Sequence, residues 1–303
     1  MIFNVTIVGS NSAIPLINRN PSSQLVNYNY KYFMLDCAEG TQVQMRKFAI
    51  SFQKLDHILI SHLHGDHYLG IFGLAFTLHL LGRKKDLHIY AHEDLFLLMD
   101  GHLKAAGTIL NYKIIPHILT PSVSEVIYQD EKLIIVSVPL NHRIPTWGFV
   151  FREIEQQKKI YREFVKKHEL NIDEILKVKD GGSYVNKDGV VFLNKDITMP
   201  IEPLRSYAYI TDTIYDESII PYINNVDLLY HEATFLNDLT IVASEKFHTT
   251  AEQAATIALK ANAKKLIIGH FSSRYKDVNL FQKESNRIFE NSFIIDDGDV
   301  FEI

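Results

Sequence analysis

Two periodicities alternate along this chain. Short apolar runs rich in β-branched and aromatic residues, at 3–8, 24–28, 32–36, 57–61 and 87–91, have the content of buried strands. Between and after them, 39–48, 69–81 and 93–106 carry apolar residues at helical spacing. The segments 112–118, 123–128 and 133–139 then read as a β-meander. Strand patterns return at 206–211, 227–230, 265–269 and 293–296, with helices at 250–262 and 280–291. Alternation of this kind predicts an α/β or α+β chain with helices layered on sheet.

One stretch breaks the pattern. Residues 152–180 hold eight Lys/Arg and seven Asp/Glu, with Ile160, Phe164, Val165, Leu170, Ile172, Ile175 and Leu176 spaced as one helical face. This predicts a protruding helical insertion between two strand-rich halves, closed by Gly181-Gly182 and spanning 152–204 of an otherwise single domain.

Composition narrows the class. An apolar share of 47% and a charged share of 22% over 303 residues are those of a soluble globular protein with a sizeable core. The first residues read as a strand rather than a signal peptide, and no apolar run approaches a membrane span. A single cysteine, Cys37, forms no internal disulfide and fits a reducing cytoplasm. Net charge of -5 argues against a protein that coats itself in nucleic acid by bulk charge. A polyanionic substrate would need a local patch or metal ions.

The chemistry concentrates at the end of one predicted strand. Ser61-His62-Leu63-His64-Gly65-Asp66-His67 packs three imidazoles and a carboxylate into seven residues. Imidazole nitrogen and carboxylate oxygen are the donors that zinc and similar metals take in hydrolytic sites. His62 and His64, two apart, face the same way in an extended turn. Gly65 permits a sharp bend, which sets Asp66 and His67 on the first turn of the next helix. One short segment can thus serve two metals. His142, Asp212 and His270 each follow another predicted strand and complete the candidate donors. His57, His79, His88, His92, His102, His117 and His168 lie in ordinary amphipathic or loop contexts.

The pattern His62-x-His64-x-Asp66-His67, then His142, Asp212 and His270, resembles the metallo-β-lactamase superfamily over nearly the whole chain. That resemblance implies a four-layer αββα sandwich with metals at one edge of the paired sheets. It implies one zinc on His62, His64, His142 and Asp212. A second would sit on Asp66, His67, His270 and the bridging Asp212. Manganese or iron accepts the same donors.

Further stretches are similar to the ribonuclease Z family, the endonucleases that trim tRNA precursors at the 3′ end. They are Leu35-Asp36-Cys37-Ala38-Glu39-Gly40-Thr41-Gln42, His231-Glu232-Ala233-Thr234-Phe235, Phe247-His248-Thr249-Thr250-Ala251-Glu252-Gln253-Ala254 and Gly269-His270-Phe271-Ser272-Ser273-Arg274-Tyr275. By this resemblance Asp66 accepts the proton of the attacking water. His248 would act as acid near the leaving oxygen, with Glu232 orienting its ring. Ser10, Ser12, Arg19, Asn20, Ser22 and Ser23 would bind substrate phosphates, as would Ser273, Arg274 and Tyr275. The partners implied are precursor tRNA, gripped by the insertion as a flexible arm, and a second copy in a homodimer, with no membrane. The superfamily hosts many chemistries, so a small-substrate phosphodiesterase or thioesterase stands as the alternative, and a non-catalytic RNA-binding protein as the remote one. The insertion departs from the family pattern: it lacks the Gly-Pro pair of the usual arm tip and is close to charge balance, which weakens its claim on tRNA.

Overall fold

The β-branched and aromatic runs pair into two seven-stranded sheets in the computed structural model, which describes residues 1–200 and 203–303. The first sheet holds β1 (Phe3–Gly9), β2 (Ser23–Tyr28), β3 (Lys31–Leu35), β4 (Leu55–Leu59), β5 (Leu87–Ala91) and β6 (Ile114–Ile118). The second holds β7 (Glu125–Gln129), β8 (Leu133–Leu140), β9 (Thr146–Glu153), β12 (Ser206–Ile210), β13 (Leu228–Glu232), β14 (Leu266–Gly269) and β15 (Ser292–Ile294). A small hairpin, β10 (Tyr184–Val185) and β11 (Val191–Phe192), stands apart, and β16 (Val300–Glu302) returns to the first sheet beside β1. The sheet orders are β16-β1-β2-β3-β4-β5-β6 and β15-β14-β13-β12-β9-β8-β7.

Three apolar layers hold these sheets between helices. Phe3, Phe33, Leu59, Trp147, Phe149, Phe151, Tyr207 and Tyr230 come from facing sides of both sheets and are fully or almost fully buried between them. On the outer side of the first sheet, Ile58, Ile60 and Ile89 pack with Met45, Leu74, Leu78 and Leu95 of the helices Thr41–Lys47, Gly70–Leu80 and Glu93–Ala105. On the outer side of the second, Ala208, Leu229 and Ile268 meet Ala254, Ala258 and Phe281 of Ala251–Lys260 and Asn279–Ser285. Because strands buried on both faces need a cover on each, the result is the αββα order. No helix among the described residues is long and apolar enough to cross a membrane.

Three sequence expectations are corrected here. The segment 112–118 does not join a meander: Ile114–Ile118 pairs parallel to β5 at the edge of the first sheet, and the meander is β7-β8-β9. Its Pro116 is tolerated because an edge strand leaves one side without ladder bonds. Thr146–Glu153 is a strand that the periodicity did not reveal, since its end was read as the start of the charged insertion. The insertion holds two helices, Arg162–His168 and Ile172–Lys179, followed by the hairpin and the short helix Asn194–Ile197, and the apolar residues 160–176 do not share one face. Glu169, at φ 48°, ends the first, and Asn171 starts the second through a capping box with Glu174. Leu170, Val178, Tyr184 and Ile197 make its own small core, whereas Ile172 and Leu176 are 75% and 48% exposed and lie off that face. The segment leaves and re-enters the sheet side by side, where Arg205 donates to both oxygens of Glu153, 2.7 and 3.0 Å away. Its residues 201 and 202 lie outside the described residues.

A pH effect arises in the first sheet. His57 stacks on Phe33 with ring centroids 4.6 Å apart and on His88 at 5.1 Å. Burial, then the neighbouring His88, pushes its pKa down to about 4. Between about pH 6.5 and 4 the unfolded chain binds this proton and the folded one refuses it, so stability falls as pH falls. Denaturant titrations should show wild type losing about 2 kcal/mol more than His57→Phe between pH 7 and pH 5. Parallel losses in both proteins would mean that His57 is not depressed.

Candidate metal centre

The candidate donors gather where strands of both sheets end. The turn 61–67 follows β4, His142 follows β8, Asp212 follows β12, Glu232 ends β13 and His270 follows β14. This is the carboxyl edge of the parallel strands, the usual place for a site in such sheets. Ligating atoms of His62, His64, His142 and Asp212 lie within 4.8 Å of one another, as do those of Asp66, His67 and His270. Asp212 reaches both groups. Its Oδ2 is 3.5 Å from the Nε2 of His62 and of His67 and 4.0 Å from that of His142, and its Oδ1 is 3.3 Å from His270 Nε2.

The turn is shaped by Asp36, a fully buried carboxylate to which the sequence reading attached no role. It accepts from the Ser61 backbone N–H, the Ser61 hydroxyl, the Tyr209 hydroxyl and His67 Nδ1, at 2.7, 2.9, 2.7 and 2.7 Å. The following helix presses onto the same segment. A Cβ at Gly70 would lie 1.8 Å from the Ala38 carbonyl oxygen, so only glycine permits that approach.

Outer partners decide which imidazole nitrogen is left bare. His62 Nδ1 donates to Ser61 Oγ, His67 Nδ1 to Asp36, His142 Nδ1 to the Phe247 carbonyl and His270 Nδ1 to Thr234 Oγ1, at 2.7 to 3.0 Å. Each leaves its Nε2 facing inward, the arrangement that orients metal-binding histidines. His64 instead presents Nδ1, 3.0 Å from His62 Nε2 and 3.2 Å from His142 Nε2.

The electrostatics fit a cation. Burial, with the nearby His67, holds His62 well below the usual imidazole pKa, and burial also lowers His142 and His64. Neutral nitrogens then face one another across 3.0 to 3.2 Å, which is repulsive unless a positive charge sits among them. Burial opposes charging His67, yet Asp212, Asp66 and Asp36 outweigh it and raise its proton affinity well above normal. For Asp66 and Asp212 burial likewise opposes charge, and the surrounding histidines keep both carboxylates ionised. His67 Nε2 is a buried polar atom without a hydrogen-bond partner among the described residues. An orphan donor atom beside two ionised carboxylates is the signature of a metal site, and the donor set binds metal ions.

His248 stands beside this cluster. Its Nδ1 is 3.1 Å from Glu232 Oε1, and Thr234 Oγ1 ties Glu232, His248 and His270 together. Burial disfavours its charge, but Glu232 and Asp212 raise its pKa to about 9. The hydrogen bond to Glu232 thus favours the imidazolium. Its ligand atom also falls within a group with Asp212 and His270.

The expected phosphate contacts divide. Ser10 Oγ donates to Asp297, Ser12 Oγ to the Phe271 carbonyl, Ser22 Oγ to the Asn11 carbonyl and Ser23 Oγ to the Asp36 carbonyl. Asn20 donates to Asp297 through both its amides, and Arg19 pairs with Asp296 at 3.1 Å. These side chains are spent inside the protein. What the loop does is seat His270, whose backbone takes φ 63° and donates to the Ser10 carbonyl at 2.9 Å. Tyr275 accepts from the Leu236 N–H through its hydroxyl. Only Arg274 and the half-buried Ser273 keep side chains facing solvent, with Arg274 lying 4.8 Å over Phe235.

Comparison with known proteins adds relatives of full length. The chain is 42% identical to the Bacteroides fragilis protein named ribonuclease Z over 292 residues, 96% of each chain. It is 43% identical to that of Phocaeicola vulgatus, over 96% of this chain and 94% of the other. Its structure superposes on the short form of human tRNase Z with a TM-score of 0.72 at 24% identity, covering 98% of both chains. The metallo-β-lactamase fold protein YhfI of Bacillus subtilis gives 0.70 at 20% identity over the whole of each chain. A family model described as anti-Pycsar protein Apyc1 matches residues 3–114.

Proposed function

Since the chain belongs to the ribonuclease Z family, we propose that it is a metal-dependent endoribonuclease that removes the 3′ trailer from tRNA precursors and leaves a 3′-hydroxyl on the tRNA. The observation that carries this reading is the position of His248, held 3.1 Å from Glu232 at the rim of a seven-residue donor cluster. His62, His64, His142 and Asp212 would hold one zinc, and Asp66, His67, His270 and the shared Asp212 would hold the second. Mixed nitrogen and oxygen donors suit zinc, and manganese or iron takes the same set. Bound metal ions would neutralise the phosphodiester's charge and make a water molecule acidic enough to attack near neutral pH.

The chain's own groups move the protons. Asp66 is ionised and partly open to solvent, so it can accept the proton that the attacking water releases. His248 donates its proton to the departing 3′ oxygen, which otherwise leaves as an alkoxide. Glu232 holds the imidazole ring and favours its charged form, and Thr234 fixes Glu232 in turn. Arg274 and Ser273 face solvent and can meet RNA phosphates, and the insertion 152–204 reaches the tRNA body. The protein works in the cytoplasm as a homodimer.

Purified protein given a 3′-extended tRNA precursor should cut once, just beyond the acceptor stem. A chelator should stop the reaction and added zinc restore it. A metal-loaded protein that hydrolyses small phosphodiesters or thioesters while leaving the precursor intact would overturn the tRNA reading.

A further inference from the structure

A small cleft of about 160 Å³ opens beside the metal-ligand cluster, lined by His64, His142, His248, Arg143 and Lys246. Two cations and three imidazoles face it, and no carboxylate does. From this juxtaposition we infer that Arg143 and Lys246 form a phosphate subsite that grips the RNA backbone next to the scissile bond. The inference rests on the reading of His248 as the acid at the leaving 3′ oxygen. The phosphate held is therefore the one immediately 5′ to the scissile phosphate, on the tRNA side.

Two turns build the subsite. Arg143 directly follows His142 after β8, and Lys246 lies two residues before His248 after the helix Thr240–Glu245. The turns are stitched together: His142 Nδ1 donates to the Phe247 carbonyl at 2.9 Å, and Arg143 Nη2 donates to the Glu245 carbonyl at 2.9 Å. The Arg143 guanidinium also lies 5.8 Å from the Phe247 ring centroid. It is thus fixed in place with only one hydrogen bond spent. Among the described residues neither Arg143 nor Lys246 makes an ion pair, and both are exposed, so their charge is available. A guanidinium offers planar, directed donors and an ammonium a point charge, a combination suited to one phosphate. In an acidic chain, this is a local source of the affinity that bulk charge cannot supply.

The test pairs the double variant Arg143→Gln/Lys246→Gln with RNA in which one linkage is a neutral methylphosphonate, placed on a 2′-deoxy nucleotide, against the 2′-deoxy phosphate as control. For control RNA the double variant should raise KM about ten- to hundred-fold with little change in kcat. The salt dependence of log KM should flatten by about one unit of slope. Neutralising the linkage 5′ to the scissile one should weaken wild type by a similar factor and cost the double variant almost nothing further. Arg143→Lys/Lys246→Arg, which keeps both charges, should restore most of the affinity, which a purely structural role would not require. If the double variant loses as much as wild type to that methylphosphonate, or keeps its KM and salt slope, the subsite is refuted. Failure of wild type to cut unmodified precursor would instead remove the tRNA reading on which the subsite rests.

Discussion

Asp212→Asn is expected to strip the protein of its second metal ion and to reduce precursor cleavage by about a thousandfold or more, an effect of several kcal/mol on the transition state. The substitution keeps the shape of the side chain and removes only its charge. Asp212 is the one side chain among the described donors whose two oxygens face both groups, Oδ2 toward His62, His67 and His142 and Oδ1 toward His270. It is buried and ionised, held so against the cost of burial by His270 and His67. Without it, each donor group loses an anionic oxygen, and the imidazoles that surround it lose their counter-charge. Metal content measured by mass spectrometry should fall from two ions per chain to one or fewer. A variant that retains two ions and full cleavage would show that Asp212 does not bridge.

His248→Ala is expected to lower kcat by about 10²- to 10⁴-fold, the usual contribution of a positioned acid, with metal content unchanged and KM within a few-fold of wild type. Its imidazolium persists because Glu232 stands 3.1 Å away and outweighs the penalty of burial. A raised pKa means that the donating form is complete at low pH and is lost as pH rises through that value. Glu232→Gln should therefore shift the alkaline limb of the kcat profile to lower pH as well as lowering its height. Loss of metal from His248→Ala would reassign the residue as a ligand, a role its proximity to Asp212 and His270 also permits.

Legibility in the sequence followed the range of the interaction. The run 61–67 announced itself because its donors are neighbours in the chain and the bend at Gly65 is a local property. His142, Asp212 and His270 were visible as polar residues at strand ends. The segment Ile114–Ile118 was recognisable as a strand, but its partner β5 was not, because β-branched content specifies extended backbone and not which edge it joins. Ser10, Ser12 and Ser22 offered hydroxyls suited to phosphate, and the fold spent them on Asp297, Phe271 and Asn11. Asp36 and Thr234 sat inside quoted motifs without a role, since their partners lie up to 173 residues away.

By itself, then, the amino-acid order determined the alternation of sheet and helix, the types of donor and their strand-end positions. These follow from periodicity and from chemistry written within a few residues. Tertiary structure decided which nitrogen of each imidazole is bare, how Asp212 spans two groups, and that Arg143 and Lys246 meet over one cleft. Each of those depends on a hydrogen bond or a close approach between distant segments. Only packing of the two sheets brings such segments together.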